Sequence, residues 1–101
     1  KYIILTKNEF VKCLEGITYV QTRQQKRRYK LKLNGDYIEG EGLDNNPRLS
    51  FEISVDDLYD AYKDGADTTV KLKGYKSLRW KQSPSLAILD KVRSGSVKDS
   101  D

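Results

Sequence analysis

The chain has 101 residues, a formal net charge of +4 and no histidine, and a quarter of its residues are Leu, Ile, Val or Phe, which is material for one hydrophobic core and not two. With no imidazole and a single thiol, Cys13, it lacks the parts of Ser-His-Asp and Cys-His catalysis and of His/Cys zinc sites, so neither an enzyme nor a metal or other cofactor is expected. The longest apolar run, Tyr2 to Leu5, falls far short of the roughly 18 residues of a membrane span, no signal-type segment follows Lys1, and a lone cysteine suits a reducing compartment; the expectation is a cytoplasmic chain without a membrane partner, cut, as its lack of Met suggests, from a longer one.

Tyr2 to Leu5 reads as a short strand. Thr6 and Glu9 then form an S/T-x-x-E capping box, Leu5 and Phe10 supply the staple, and Phe10, Leu14 and Ile17 recur on one face of a 3.6-residue period. Helix one is therefore placed at about 7 to 15, with Gly16 as its stop. Thr18 to Thr22 is β-rich, and Gln24-Gln25-Lys26-Arg27 turns it back onto Tyr29 to Leu33, where apolar and charged residues alternate. Asn34-Gly35 is a strong hairpin signal. Taken as the two turn residues, the pair sets Leu31 opposite Ile38, Lys30 opposite Glu39 and Arg28 opposite Glu41.

After the Asn45-Asn46-Pro47 turn, Leu49, Phe51 and Ile53 alternate with polar residues, giving a strand over about 49 to 53. Ser54 is an N-cap with Asp56 and Asp57 in the first turn and Ile53 stapled to Leu58, so helix two runs to about Asp64. Thr69 to Lys73 alternates once more, with Val70 and Leu72 inward, and reads as a further strand ending at Gly74. Ser83 before Pro84 marks a helix start, and Leu86, Ile88, Leu89 and Val92 make the helix short and strongly apolar. The expected architecture is α+β: an antiparallel meander of about four or five strands, with two amphipathic helices and the short C-terminal helix on one side. Residues 1–93 form the single domain and 94–101 a flexible tail or linker.

Charge is segregated along the chain. Residues 16–35 hold six bases and no acid, residues 36–67 ten acids against Arg48 and Lys63, and residues 68–89 five bases and no acid. In the first basic block the register pairs Lys30 and Arg28 with carboxylates, leaving Arg23, Lys26 and Arg27 unpaired at a loop. In the second, Lys73, Tyr75, Lys76, Arg79, Trp80 and Lys81 interleave bases with aromatics ahead of a helix N-terminus. That chemistry grips phosphates and stacks on bases, although without the aromatic signature of the standard RNA-binding sheets. The competing role for Trp80 is that of core anchor, the commoner fate of a single tryptophan. Asp56, Asp57, Asp60, Asp64 and Asp67 follow no calcium-loop spacing and read as a solvated face. The function expected is a noncatalytic module that binds DNA or RNA through these two basic loops. The alternative is a protein-interaction or self-assembly domain that pairs the acidic helix with a basic face.

Overall fold

The computed structural model describes residues 4–23, 26–43 and 50–99, the last five as helical backbone. It begins with the helix that the capping box dictates, α1 (Lys7–Glu15), in which the Glu9 amide donates to Thr6 Oγ1 and the Thr6 amide donates to the Glu9 carboxylate at 2.9 Å. Tyr2 and Ile3 of the expected first strand lie outside the described residues, and Ile4 and Leu5 are in no strand. Four strands follow, β1 (Tyr19–Gln21), β2 (Arg28–Asn34), β3 (Tyr37–Gly42) and β4 (Ser50–Ser54), as an antiparallel meander in sequence order. The chain then forms α2 (Val55–Lys63), a single-turn α3 (Thr69–Leu72), a 3-10 turn (Lys76–Leu78) and α4 (Gln82–Asp99). The α+β class and the meander are thus as expected, with four strands. None of the described helices is long and apolar enough to cross a membrane.

One face of the sheet is apolar and carries the helices. Val20, Tyr29, Leu31, Ile38 and Ile53 are buried there together with Phe10 and Leu14 of α1, Leu58, Ala61 and Tyr62 of α2, and Leu86 to Leu89 and Val92 of α4. Phe10 meets the rings of Tyr59 and Tyr62 at 5.2 and 5.1 Å. Both phenols also reach the backbone of Leu5: the Tyr59 hydroxyl donates to its carbonyl at 2.8 Å, and its amide donates to the Tyr62 hydroxyl at 3.0 Å. Two buried or half-buried tyrosines thereby find partners for their polar ends and tie the segment before α1 to α2.

Three local expectations are corrected. In the central hairpin Asn34 pairs with Tyr37, so the turn residues are Gly35 and Asp36. Of these only Gly35 has positive φ, at 61°, the pattern of a type II′ turn with glycine first, where Asn34-Gly35 would need both residues there as type I′. Leu33 consequently faces Ile38, Leu31 faces Gly40, and the charged pairs become Lys30 with Glu41 and Lys32 with Glu39. The segment 69–73 is α3 rather than a strand. Thr68 accepts from the Lys71 amide as an N-cap, and Leu72 is fully buried while Val70 is 69% exposed, as residues two apart on a helix must diverge. Finally, α4 starts at Gln82 instead of after Ser83 and extends well past 93. Pro84 is then the third helical residue, still among the first four whose amides have no intrahelical acceptor.

The inner face also contains a close approach. Gly40 lies between Leu31 and Phe51 in the ladder, and a Cβ built on it would stand 2.1 Å from Phe51 Cζ. Phe51 occupies the space that a side chain at position 40 would need. Gly40→Ala is therefore expected to destabilise by about 1 to 3 kcal/mol through overpacking, and Phe51→Leu in the same chain should cancel part of that cost; purely additive urea midpoints would contradict the contact. Gly35→Val, which forces a β-branched residue into positive φ, should lower stability by more than about 1 kcal/mol even though a Cβ there meets nothing within 4 Å. An unchanged melting temperature would contradict the turn assignment.

Candidate nucleic-acid interface

The fold engages the nine residues singled out in the sequence to different degrees. Arg23, expected to be unpaired, makes a two-pronged ion pair with Asp90 of α4, at 2.8 and 2.7 Å, which holds its pKa above the ordinary value. Lys26 takes the left-handed conformation, φ 52°, and its carbonyl accepts from the Gln21 side chain, Nε2, at 3.3 Å. Arg27 closes the same loop. Its amide donates to the buried Thr22 hydroxyl and its carbonyl accepts from the Thr22 amide, both at 2.9 Å, leaving the guanidinium exposed.

In the second block Lys73 is the C-terminal cap of α3 and Lys76 sits in the 3-10 turn, both exposed. That turn docks on the start of α2, where the Ser77 amide donates to Asp57 and the Ser54 amide donates to the Ser77 hydroxyl, each at 2.9 Å. Tyr75 is half-buried against the core and its hydroxyl donates to the Asp64 carboxylate. Trp80, by contrast, is 89% exposed, so its role as core anchor is overturned. Lys81 crosses to the open edge of β4, where its Nζ donates to the Glu52 carbonyl at 2.5 Å. Arg79 is exposed beside it.

What the fold does bring together is Arg27, Trp80 and Lys81. They share a cleft of about 390 Å³ with Tyr29, Phe51 and the first turn of α4, from Gln82 to Pro84. Tyr29 and Phe51 pack edge to face at 5.2 Å along its wall. Among the described residues no carboxylate lines it. A larger concavity of about 900 Å³ adjoins it through Ser50, Phe51 and Lys81, but there Lys30, Lys32 and Lys81 are matched by Glu39, Glu41 and Glu52. For an anionic ligand the smaller cleft is the better site. Helix α4 also begins there, adding the positive end of its dipole. Sequence reasoning missed Tyr29 and Phe51, because both fall on the core-facing register of strands whose ends happen to frame the opening.

The five acids around α2 are all engaged within the chain: Asp56 with Lys7, Asp57 with the Ser77 amide, Asp60 with Lys63, Asp64 with Tyr75 and Asp67 with Lys71. Asp67 is held below the usual carboxylate range by its bond to Lys71. Among the described residues no three carboxylates or thiols cluster as a metal site would require.

The bond to Asp64 pushes the Tyr75 phenol up to about 12 from its ordinary 10, with desolvation and the charges of Asp64 and Asp60 adding to it. Between these two values the folded chain holds a proton that the unfolded chain has lost. The bond's stabilisation is thus complete below about pH 10 and disappears as pH rises through about 12. Phenolate absorbance of the native chain should show one tyrosine ionising near 12, absent in Tyr75→Phe and shifted downward in Asp64→Asn; a Tyr75→Phe titration identical to the parent's would contradict the bond.

No family model, curated protein or solved structure matches this chain, and the chemistry of the cleft rests on its own residues.

Proposed function

We propose that the domain is a noncatalytic nucleic-acid-binding module whose contact site is the cleft of Arg27, Trp80 and Lys81, with the exposed Arg79 next to Trp80 in the chain. The observation that carries this reading is the exposure of Trp80, the chain's single tryptophan, in a cleft that it shares with Arg27 and Lys81 and that no carboxylate among the described residues lines. Covering a large apolar side chain is worth about 1.5 to 3 kcal/mol, and in the free domain that gain is unrealised. An indole flanked by a guanidinium and an ammonium suits a ligand with aromatic faces and negative charge. The self-assembly alternative has less to draw on, since the acids that would meet a basic face are engaged with groups of the same chain. A cytoplasmic address belongs to this proposal, on the expectation from a single cysteine.

The reading is tested by replacing Arg27 and Lys81 together with Gln and following DNA and RNA binding across salt concentrations. Each phosphate contact contributes about 0.9 to the log-log salt slope with a duplex and about 0.7 with a single strand, so the double variant should bind more weakly and lose about 1.4 to 1.8 of slope, while the lost bond from Lys81 to the Glu52 carbonyl lowers stability by about 1 kcal/mol and leaves the chain folded. A parent that binds no better than a generic polycation, or a double variant that matches the parent at every salt concentration, would overturn the proposal.

A further inference from the structure

Building on that reading, we infer that the cleft takes an unpaired base of a single strand, with Trp80 stacked on the base and Arg27 and Lys81 on the flanking phosphates, and that it discriminates against duplex. An indole can stack only on a base whose face is open, and in a closed duplex every base face is covered by its neighbours. Unpaired bases offer their faces freely, and each base–aromatic stack is worth about 1 to 3 kcal/mol.

The surroundings of the cleft point the same way. A duplex presents two phosphate strands and one charge per about 1.7 Å of axis, so it calls for a broad basic surface. Here the ground beyond Ser50 and Phe51 sets Glu39, Glu41 and Glu52 against Lys30, Lys32 and Lys81, so a second phosphate strand would meet a surface without net positive charge. The helix that borders the cleft, α4, is buried from Pro84 to Leu89, so its cleft end does not offer the open helix face that duplex readers insert into a major groove. At about 390 Å³ the cleft is in the range of small-ligand sites, which suits a nucleotide unit rather than a helix face.

Because Trp80 is the only tryptophan, intrinsic fluorescence of the full chain reports on this site alone. The experiment titrates the chain with an oligothymidylate, a duplex closed at both ends by non-nucleoside linkers, and inorganic polyphosphate. Anisotropy of labelled nucleic acid then compares the parent with Trp80→Ala and Trp80→Phe. Expected are quenching by the oligothymidylate, an affinity at least about tenfold above that for closed duplex, a loss of about tenfold in Trp80→Ala and partial retention in Trp80→Phe. Equal or tighter binding of closed duplex, binding of polyphosphate as tight as of oligothymidylate, or a Trp80→Ala variant that binds like the parent would overturn the stacking inference while leaving nucleic-acid binding standing. Binding to neither nucleic acid would remove both.

Discussion

The structure depends on α4 spanning the sheet from one open edge to the other. A four-stranded meander leaves two edge strands with unpaired carbonyls and amides, and one apolar face that must be covered. At its start α4 is anchored to β4, where Lys81 reaches the Glu52 carbonyl. Three turns on, Lys91 donates to the Tyr19 carbonyl on β1 at 2.6 Å and lies over the Tyr19 ring, while Asp90 holds Arg23 of the β1–β2 loop. Between these ends the buried run from Leu86 to Leu89 seals the core. The prominence of Trp80 follows from this arrangement. With Leu78 buried on one side and Lys81 tethered on the other, the residues between them have no inward route.

The same anchoring determines what becomes of the segregated charge. Along the sequence, two basic blocks flank an acidic one; in the fold most of these charges meet partners. Arg23 goes to Asp90, Lys7 to Asp56, Lys63 to Asp60 and Lys71 to Asp67, and across the sheet Lys30 and Lys32 stand opposite Glu41 and Glu39. Exposed pairs of this kind contribute little to stability, typically 0 to 1 kcal/mol. Their consequence is for recognition, because they remove competing basic surface, while Arg27 and Lys81 stay beside the exposed Trp80 in a cleft that no carboxylate among the described residues lines.

Elements governed by local chemistry were legible in the sequence. The capping box at Thr6 and Glu9, the Ser54 cap and the staple of Ile53 to Leu58 depend on residues within a few positions of one another, and both helices appear within about a residue of their expected ends. Where two local signals competed, tertiary context decided. Asn34-Gly35-Asp36 contains two overlapping turn pairs, and choosing between them requires the pairing of the whole ladder. Thr69 to Lys73 is too short to distinguish a period of 2 from one of 3.6; its Thr68 cap was the overlooked helix signal. In the candidate site, Arg79, Trp80 and Lys81 could be named from alternating bases and aromatics. The loss of Arg23 and Tyr75 could not, since Asp90 and Asp64 are 67 and 11 residues away and only the fold makes them neighbours.

In the proposed mode of recognition stacking outweighs charge. Arg27, Lys81 and Arg79, the chain neighbour of Trp80, would supply three phosphate contacts, a salt slope of about 2 on a single strand, which is small beside that of proteins gripping six to ten phosphates. Lys81 is also shared with the Glu52 carbonyl, so its contact with a phosphate must either bend around that bond or give it up. The indole has no such competing engagement. It is held away from the core by its neighbours and needs no rearrangement of the sheet to receive a base, and its contribution does not fade with ionic strength as that of the cations does. On the proposed reading, such a surface would hold a strand chiefly through a base that has already left its stack, with the phosphates orienting that strand along the cleft.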